Sequence, residues 1–232
     1  MRGMAFNGEG QTQSNMGVAA GNFGEDGTLG VMTTTFSEDY FPLFKLLSPG
    51  QFEDVSAQAG LRSVSMPWLG WACGFADFDN DGNKDLIIAS GGDESYGRNV
   101  LLTPRVYLND GKGHFSKLND AFDSLFVNAS CVVPYDFNGD GKIDLFIGGR
   151  SVPGNYGQIP KSYLLQNDGT GHFKDVTDKV AKGLSDIGFV TNAVWVDLNK
   201  DGEKDLVLSL EWGGIIAFIN HHGTFTKKIL TD

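Results

Sequence analysis

Three short acidic stretches with the same spacing are the residues of this chain best suited to chemistry. They begin at Asp77, Asp136 and Asp197. Each places oxygen-bearing side chains at positions 1, 3, 5 and 9, glycine at position 6 and an aliphatic residue at position 10. Alternate residues of a tight loop direct their oxygens to one centre, as a hard cation such as Ca²⁺ requires. Without a cation, carboxylates this close would repel one another. The spacing therefore predicts about three Ca²⁺ sites, one in each loop.

The predicted ligands fall into two groups. Side chains are expected to bind from Asp77, Asp79, Asp81, Asp85, Asp136, Asn138, Asp140, Asp144, Asp197, Asn199, Asp201 and Asp205. Position 7 is expected to contribute only its backbone carbonyl, which leaves its side chain free to vary: Asn83, Lys142 and Glu203. Three solvated turns are the alternative, but recurrence in one register favours the metal. An EF-hand is excluded, because its position 12 is Glu and here that position is Ile88, Ile147 or Leu208.

The same order of predicted strands surrounds each acidic loop. A strand of small residues precedes the loop, an aliphatic strand follows it, and a third and fourth strand flank a glycine hairpin. Two of the hairpins read Asn-Asp-Gly-x-Gly-His-Phe, at 109–115 and 167–173. The copies begin at 77, 136 and 197. Four strands in each repeat of this length predict an all-β fold, a β-propeller of four-stranded blades.

A degenerate copy precedes the three complete ones and makes a fourth blade. Its loop, Asn22–Gly30, has Gly24 and Gly30 where acidic residues are expected, so we expect it to be empty or weak. We predict a single propeller domain over 1–232, with residues 1–16 as an inter-blade connector or N-terminal extension. The expected blades are 17–60, 71–118, 129–178 and 191–230. A closed four-bladed ring, part of a larger propeller and a homodimer of two half-propellers all remain open.

Composition excludes several classes of protein. The 232 residues carry a net charge of −11 and a pI near 4.7, so a nucleic-acid surface is not expected. No segment is apolar for 18 residues, so no membrane span is predicted, and the N-terminus lacks the apolar core of a signal peptide. Cys73 and Cys131 would face opposite sides of equivalent strands, which predicts two buried free thiols rather than a disulfide.

The acidic loops with their following glycine hairpins resemble FG-GAP/VCBS repeats, which build the integrin α-subunit propeller and many bacterial surface proteins. The segments 16–23 and 70–79 resemble bacterial members similar to cartilage acidic protein, which often carry an ASPIC/UnbV module. The resemblance covers residues from about 16 to 230. It implies an extracellular, cell-surface or periplasmic propeller, stiffened by Ca²⁺, that binds a protein or glycan ligand in adhesion.

The turns of a four-stranded meander alternate between two faces, which separates the metal loops from a second set of loops. That second set, at 36–41, 91–104 and 150–160, is expected to share a recognition face with the inter-blade connectors. The candidate contact residues are Tyr40, Phe41, Trp68, Tyr96, Arg98, Arg150, Tyr156 and Trp212. Exposed aromatic residues and arginines are typical of binding surfaces.

Two other functions remain open from the sequence. One is an enzyme, a lyase or hydrolase acting on polysaccharide at the channel mouth; the other is a structural repeat that only spaces other domains. We predict no catalytic residues, because no known catalytic motif occurs. His114, His172, His221 and His222 all fall in or beside the glycine hairpins, which favours a role in the turns.

Overall fold

The computed structural model describes Met4, residues 6–24 and residues 27–231. Its strands form four antiparallel sheets, each of four strands in chain order, which confirms the predicted all-β propeller of four four-stranded blades. Two helices of four residues, α1 and α2, lie outside the sheets, and neither is long or apolar enough to span a membrane. The free thiols of Cys73 and Cys131 are buried, as predicted.

Each blade begins with its innermost strand. Blade 1 comprises β1 (Val18–Asn22), β2 (Leu29–Thr33), β3 (Leu43–Ser48) and β4 (Gln51–Asp54), followed by α1 (Arg62–Ser65). Blade 2 comprises β5 (Gly70–Ala76), β6 (Asp85–Ser90), β7 (Arg105–Asn109) and β8 (Phe115–Lys117), with a 3-10 turn at Val100–Leu102. Blade 3 comprises β9 (Asn128–Tyr135), β10 (Asp144–Ser151), β11 (Tyr163–Asn167) and β12 (Phe173–Asp175), followed by α2 (Thr177–Val180). Blade 4 comprises β13 (Phe189–Val196), β14 (Asp205–Glu211), β15 (Ile215–His221) and β16 (Thr224–Ile229).

Residue size along the strands explains this arrangement. The second strand of a blade lies between two neighbours and packs on both faces, and every residue of β6 is accordingly buried. The first strands crowd around the axis and use small residues. A β-carbon on Gly17 would lie 2.6 Å from the carbonyl oxygen of Trp71 in the next blade, so only glycine allows this approach. Three apolar clusters fill the spaces between successive blades.

A repeated joint connects each blade to the one before it. The asparagine that begins a hairpin donates its side-chain N–H to the carbonyl of the aromatic residue at position 2 of the preceding blade's acidic loop. The three bonds are Asn109 to Phe23 at 2.8 Å, Asn167 to Phe78 at 2.8 Å and Asn220 to Phe137 at 2.9 Å. The phenylalanine of the same hairpin contacts that aromatic ring, with centroids 6.2, 5.6 and 5.7 Å apart. The loops of blades 1, 2 and 3 are therefore each held from outside by the next blade.

Blades 1 and 4 do not form a comparable joint within the described residues. The innermost strands pack in succession, β1 on β5, β5 on β9 and β9 on β13. At the two ends of this series, Val18 on β1 is 68% exposed and Val194 on β13 is 52% exposed. The four blades therefore form an arc with two open sheet faces, and a closed ring of four blades, one of the alternatives left open by the sequence, is not what the structure shows.

The joint predicts the effect of truncating its asparagine. Asn167 is 2% exposed and also accepts the backbone N–H groups of Gly169 and Gly171. Asn167→Ala would leave these buried groups without partners, so we expect the free energy of unfolding in urea to fall by about 2–3 kcal/mol. Asn155→Ala, in an exposed loop, is the control, expected to change it by less than about 0.5 kcal/mol. Equal effects of the two substitutions would contradict the assigned role.

Candidate functional site

The first acidic loop gathers three carboxylates around one point. One oxygen each of Asp77, Asp79 and Asp85 lies within 4.8 Å of the other two. Oxygens that share one Ca²⁺ at about 2.4 Å lie at such separations. The Oδ2 atom of Asp77 accepts the N–H of Gly82 at 3.0 Å, while its Oδ1 atom is buried and has no hydrogen-bond partner. An unpartnered buried carboxylate oxygen beside two other carboxylates fits a bound cation.

The second and third loops have the same backbone hydrogen bonds. Asp136 accepts the N–H of Gly141 at 2.8 Å, and Asp197 accepts that of Gly202 at 3.0 Å. In these loops the Oδ1 atom of the first aspartate also accepts a backbone N–H, from Gly139 at 2.8 Å or Lys200 at 2.6 Å. The side-chain oxygens at positions 3 and 5 accept backbone N–H groups two residues ahead. The loops are therefore already folded around their own oxygens.

The backbone of the loops turns at two positions. Glycine at position 6 has φ of 91°, 82° and 93° in the three loops, the left-handed conformation for which glycine was expected. Position 4 is also left-handed, and in the third loop that residue is Lys200, with φ of 63°. The side chains at position 7 lie against the hairpin of the same blade: Asn83 over Gly111, Lys142 over Gly169, and Glu203 at the N–H of His222. These side chains point to the hairpin, which leaves the backbone carbonyl as the group available at position 7.

The aspartate at position 9 is the buried member of each loop. Asp85, Asp144 and Asp205 are all 0% exposed. One oxygen of each accepts the N–H of position 2, and the other accepts the N–H of the hairpin asparagine at 2.8–2.9 Å. The pKa of Asp85 and of Asp144 is raised to about 7, chiefly by burial and in smaller part by the neighbouring loop carboxylates, while the backbone N–H donors oppose the shift. A cation would favour the charged form of these groups.

The loop of the first blade lacks this set of ligands. Gly24 and Gly30 offer no side-chain oxygen at positions 3 and 9, and Asp26, which would occupy position 5, lies outside the described residues. Phe23 in the same loop is 6% exposed and is held in the joint to Asn109. Among the described residues, this loop therefore contacts the next blade as the loops of blades 2 and 3 do, but it lacks their carboxylates.

Three of the eight predicted contact residues are not on an open surface. Tyr40 is 4% exposed, and its hydroxyl donates to Asp54 at 2.6 Å and accepts the N–H of Gly8 at 3.0 Å. Phe41 is fully buried, and Trp68 is half-buried with the Arg105 guanidinium 4.1 Å from its ring centre. The prediction of Tyr40 and Phe41 as ligand contacts is wrong, because both pack in the interior, where their apolar area leaves water. Trp68 is only half-buried, and its role as a ligand contact stays a prediction.

The other five predicted contact residues reach the surface of the second face. Tyr156 is 91% exposed and Trp212 67% exposed, and their ring centres are 5.6 Å apart at 78°. Tyr96 is 65% exposed and lies over Gly154 of the next blade. Arg98 is exposed and lies over Phe126, with its guanidinium 5.2 Å from the ring centre. The structure brings together loops from blades 2, 3 and 4, but Tyr156 and Trp212 form its most exposed pair.

Arg150 extends this pair toward the central axis. Its guanidinium lies 5.6 Å from the ring centre of Trp71 and 4.0 Å from a carboxylate oxygen of Glu211, the residue before Trp212. Trp71 also lines an open cleft of about 480 Å³ at the axis, together with Ser130 and Thr191 of the next two blades. We call Trp71, Arg150, Glu211, Trp212 and Tyr156 the aromatic ridge. It runs from the axial cleft to the rim.

Several residues that lie at these sites were not predicted from the sequence. Trp71, Glu211 and Phe189, whose ring lies 5.2 Å from Trp212, belong to the ridge or support it. Arg150 and Glu211 occupy the same register, six residues after position 9 of their loops, and aligning the copies there would have found Glu211. No role was predicted for the hairpin asparagines, although their recurrence at 109, 167 and 220 is a signal for a shared role.

Comparison with known proteins identifies the family. The FG-GAP-like repeat family matches residues 77–147 and 136–208, which is more than half of the chain. The chain belongs to this family, as the sequence predicted.

Phosphatidylinositol-glycan-specific phospholipase D of Rattus norvegicus is 26% identical over 225 residues, covering 86% of this chain and 26% of that protein. The Bos taurus enzyme is 30% identical over 172 residues, or 66% of this chain and 20% of that protein. The chain thus spans about a quarter of the length of these relatives.

Solved structures share the fold at low sequence identity. A GH43_1 enzyme from Xanthomonas citri superposes with a TM-score of 0.54 and 13% identity, covering 93% of this chain and 74% of that one. An exo-beta-1,3-galactanase from Phanerochaete chrysosporium, with beta-1,3-galactotriose, gives 0.52 and 10%, covering 99% and 53%. At these identities the similarity shows the propeller fold alone.

The raised pKa values of Asp85 and Asp144 predict a pH dependence for the metal-free protein. Between the ordinary value of 3.8 and about 7, the folded state retains protons that the unfolded chain has lost. The free energy of unfolding in EDTA should therefore be highest near pH 4 and decrease as pH rises to 7. Urea denaturation across this range measures it, and the Asp85→Asn/Asp144→Asn variant should show a shallower slope. A metal-free stability that rises steadily from pH 4 to 7 would contradict the assignment.

Proposed function

We propose that this chain is a Ca²⁺-stabilised recognition module, in which three acidic loops hold structural cations and the opposite face binds a protein or glycan. The observation that carries the metal assignment is the cluster of Asp77, Asp79 and Asp85 with the unpartnered Oδ1 of Asp77. The hard oxygen ligands, a carbonyl available at position 7 and the lack of histidine and cysteine in the loops all favour Ca²⁺.

The bound cations would act on the fold through the joints. In the loops of blades 2 and 3, positions 1 and 3 flank the residue whose carbonyl and ring are held by the next blade, so ordering the ligands also orders that residue. When bound, Ca²⁺ would neutralise the repulsion among the loop carboxylates. Because all proposed side-chain ligands come from one continuous loop on the face opposite the aromatic ridge, we assign the metals a structural role.

The aromatic ridge supports the proposed recognition role. Tyr156 and Trp212 expose large ring surfaces that the protein itself leaves uncovered, and Trp212 has a left-handed backbone with φ of 60°. Such a conformation is costly for a bulky residue, and strain of this kind is concentrated at functional sites. Aromatic rings beside a guanidinium and a carboxylate can pack on the apolar side of a protein segment or a sugar and bind its polar groups.

An enzyme acting on polysaccharide and a passive spacer are the other two candidates. The glycoside hydrolases share the fold only, and within the described residues of the ridge Glu211 is paired with Arg150 rather than with a second carboxylate. A spacer would not need the exposed rings. We therefore favour binding over catalysis. We also propose an extracellular, cell-surface or periplasmic location, in keeping with Ca²⁺ at millimolar concentration outside the cell.

Calcium titration tests the metal assignment. We expect about three ions per chain with dissociation constants on the order of 10⁻⁴ to 10⁻³ M, the Asp77 loop being tightest because it has four carboxylates. Tm should rise with Ca²⁺ concentration, because the ion binds the folded state. In equilibrium dialysis, the Asp140→Ala variant should bind one Ca²⁺ fewer than the unsubstituted protein. The Asp123→Ala variant, whose substitution lies in an exposed connector, should bind the same number. A stoichiometry below two would overturn the proposal.

Substitution of the ridge tests recognition. Arrays of soluble glycans and of candidate protein partners, probed in saturating Ca²⁺, would identify a ligand. Trp212→Ala and Tyr156→Ala should then weaken its binding by about tenfold or more, because they remove exposed aromatic contacts. Ile229→Ala, which shortens an exposed side chain on the outermost strand of blade 4, is the matched control. If both ridge variants bind the ligand as tightly as the unsubstituted protein and have the same Tm, the aromatic ridge is not the binding surface. Cleavage of a glycan on the array would favour an enzyme instead.

A further inference from the structure

A small pocket lies between blades 2 and 3, on the face opposite the acidic loops. It is lined by residues of the blade 2 loop at 91–104, of the connector between the two blades and of the blade 3 loop at 150–160, and its volume is about 190 Å³. Pockets that hold drug-sized ligands are larger, at about 300–1,000 Å³. None of its lining residues belongs to the aromatic ridge. The pocket is therefore a separate place on the proposed recognition face, and its size suits a single side chain.

The interior of this pocket is apolar and already fixed in shape. Leu102 and Val127 are its buried part, at 3% and 4% exposure, and the N–H of Val127 donates to the carbonyl of Leu102 at 3.0 Å. Pro153 and Pro160 also line the pocket, and the proline ring restricts the backbone there. A ligand would meet walls that need little reordering, which lowers the free-energy cost of binding.

The polar side chains of the pocket wall are already bonded within the protein. Asn128 donates to Asp93 at 3.1 Å and to the Ser151 hydroxyl at 2.7 Å. The side-chain oxygen of Asn128 accepts the N–H of Gly92 at 2.9 Å, and the Ser151 hydroxyl donates to Asp93 at 3.0 Å. These groups hold the two loops together and offer little to the hydroxyl groups of a sugar. The interior therefore favours an apolar side chain.

Two cations flank the pocket without a carboxylate partner. Lys161 lines the pocket and is exposed, and Arg98 is exposed with its guanidinium over Phe126, another lining residue. Among the residues that the structure describes, neither cation forms an ion pair, and Asp93 is engaged by Asn128 and Ser151. On a chain with a net charge of −11, two free cations beside an apolar pocket favour a ligand that carries carboxylates.

We propose that this pocket binds one apolar side chain of a partner protein, from a segment in which that residue is flanked by Asp or Glu. The apolar side chain fills the pocket, and the flanking carboxylates pair with Arg98 and Lys161. Burial of the apolar side chain stabilises the complex, while the charges orient the segment. The inference rests on the proposed recognition role and deepens it by naming an acidic protein segment as the ligand.

Capped pentapeptides test this assignment. The probes carry a central Phe or Leu flanked by Asp, by Gly or by Lys, and each is titrated into the full chain in the presence of Ca²⁺. Binding is followed by the NMR shifts of the backbone N–H groups of Gly97, Val127 and Ser151. At low salt the Asp-flanked peptides should bind at least about tenfold more tightly than the Lys-flanked ones. This difference should shrink as NaCl is added, because salt screens exposed charges.

Two variants and a matched control make the result specific. Val152→Trp places a large ring at the pocket wall and should abolish binding of the Asp-flanked and Gly-flanked peptides. Arg98→Gln/Lys161→Gln removes only the charges, so it should weaken the Asp-flanked peptides by about threefold or more and leave the Gly-flanked ones unchanged. Lys228→Gln, at an exposed lysine on the outermost strand of blade 4, should change neither. If Val152→Trp does not fold, the charge variant still decides, because both of its side chains are exposed.

The outcomes separate this inference from the recognition role on which it rests. Equal binding of Asp-flanked and Lys-flanked peptides, or no shift at the pocket with any peptide, would overturn the pocket assignment. Peptide binding that survives Val152→Trp but is lost in Trp212→Ala would place the ligand on the aromatic ridge, so that the recognition role stands and the pocket assignment fails. A glycan that shifts the pocket signals when no peptide does would replace the protein segment by a sugar.

Discussion

One buried polar pair in each complete blade, the aspartate at loop position 9 and the asparagine that begins the hairpin, is the constraint on which the rest of this structure depends. The aspartate is fully buried and accepts the backbone N–H of that asparagine, which links the second strand to the third. The asparagine side chain then donates to the carbonyl beside position 9 and to the carbonyl of the preceding blade. Because an unpaired buried polar group costs about 1–3 kcal/mol, the whole network must form together.

This network explains why an acidic loop can be both a candidate metal site and a structural joint. The loop turns back on its own carboxylate oxygens, and the turn presents the residue at position 2 to the neighbouring blade. The hairpin must approach closely for the contact to form. A β-carbon on Gly223 would lie 2.9 Å from the side chain of Asn138, so the hairpin needs glycine there. Cation binding, loop geometry and blade packing are consequently coupled, as is usual in repeat proteins where each unit contacts only its neighbours.

The antiparallel meander separates this network from the aromatic ridge. Loops between first and second strands lie on the metal face, whereas those between second and third strands lie on the other, where they are free of the joint. Residues such as Tyr156 and Trp212 can vary there without disturbing the buried pairs, and the left-handed backbone of Trp212 is tolerated at the end of a well-packed strand. The fold thus provides a rigid frame with one face that is free to evolve contacts, as binding loops on rigid scaffolds commonly do.

Local spacing was sufficient to predict the acidic loops, the four-stranded repeat and the number of blades, because alternation along a strand and the turn at position 6 involve residues within ten positions of one another. The partner of each hairpin asparagine could not be predicted in this way, since it lies 83 to 89 residues away and is chosen by how blades pack. The same holds for Tyr40 and Phe41, which the sequence placed on a surface and the packing placed inside. The exposure of Val194 was also decided only in three dimensions. Whether a strand face meets a neighbour depends on the residues opposite it, which spacing along the chain does not specify.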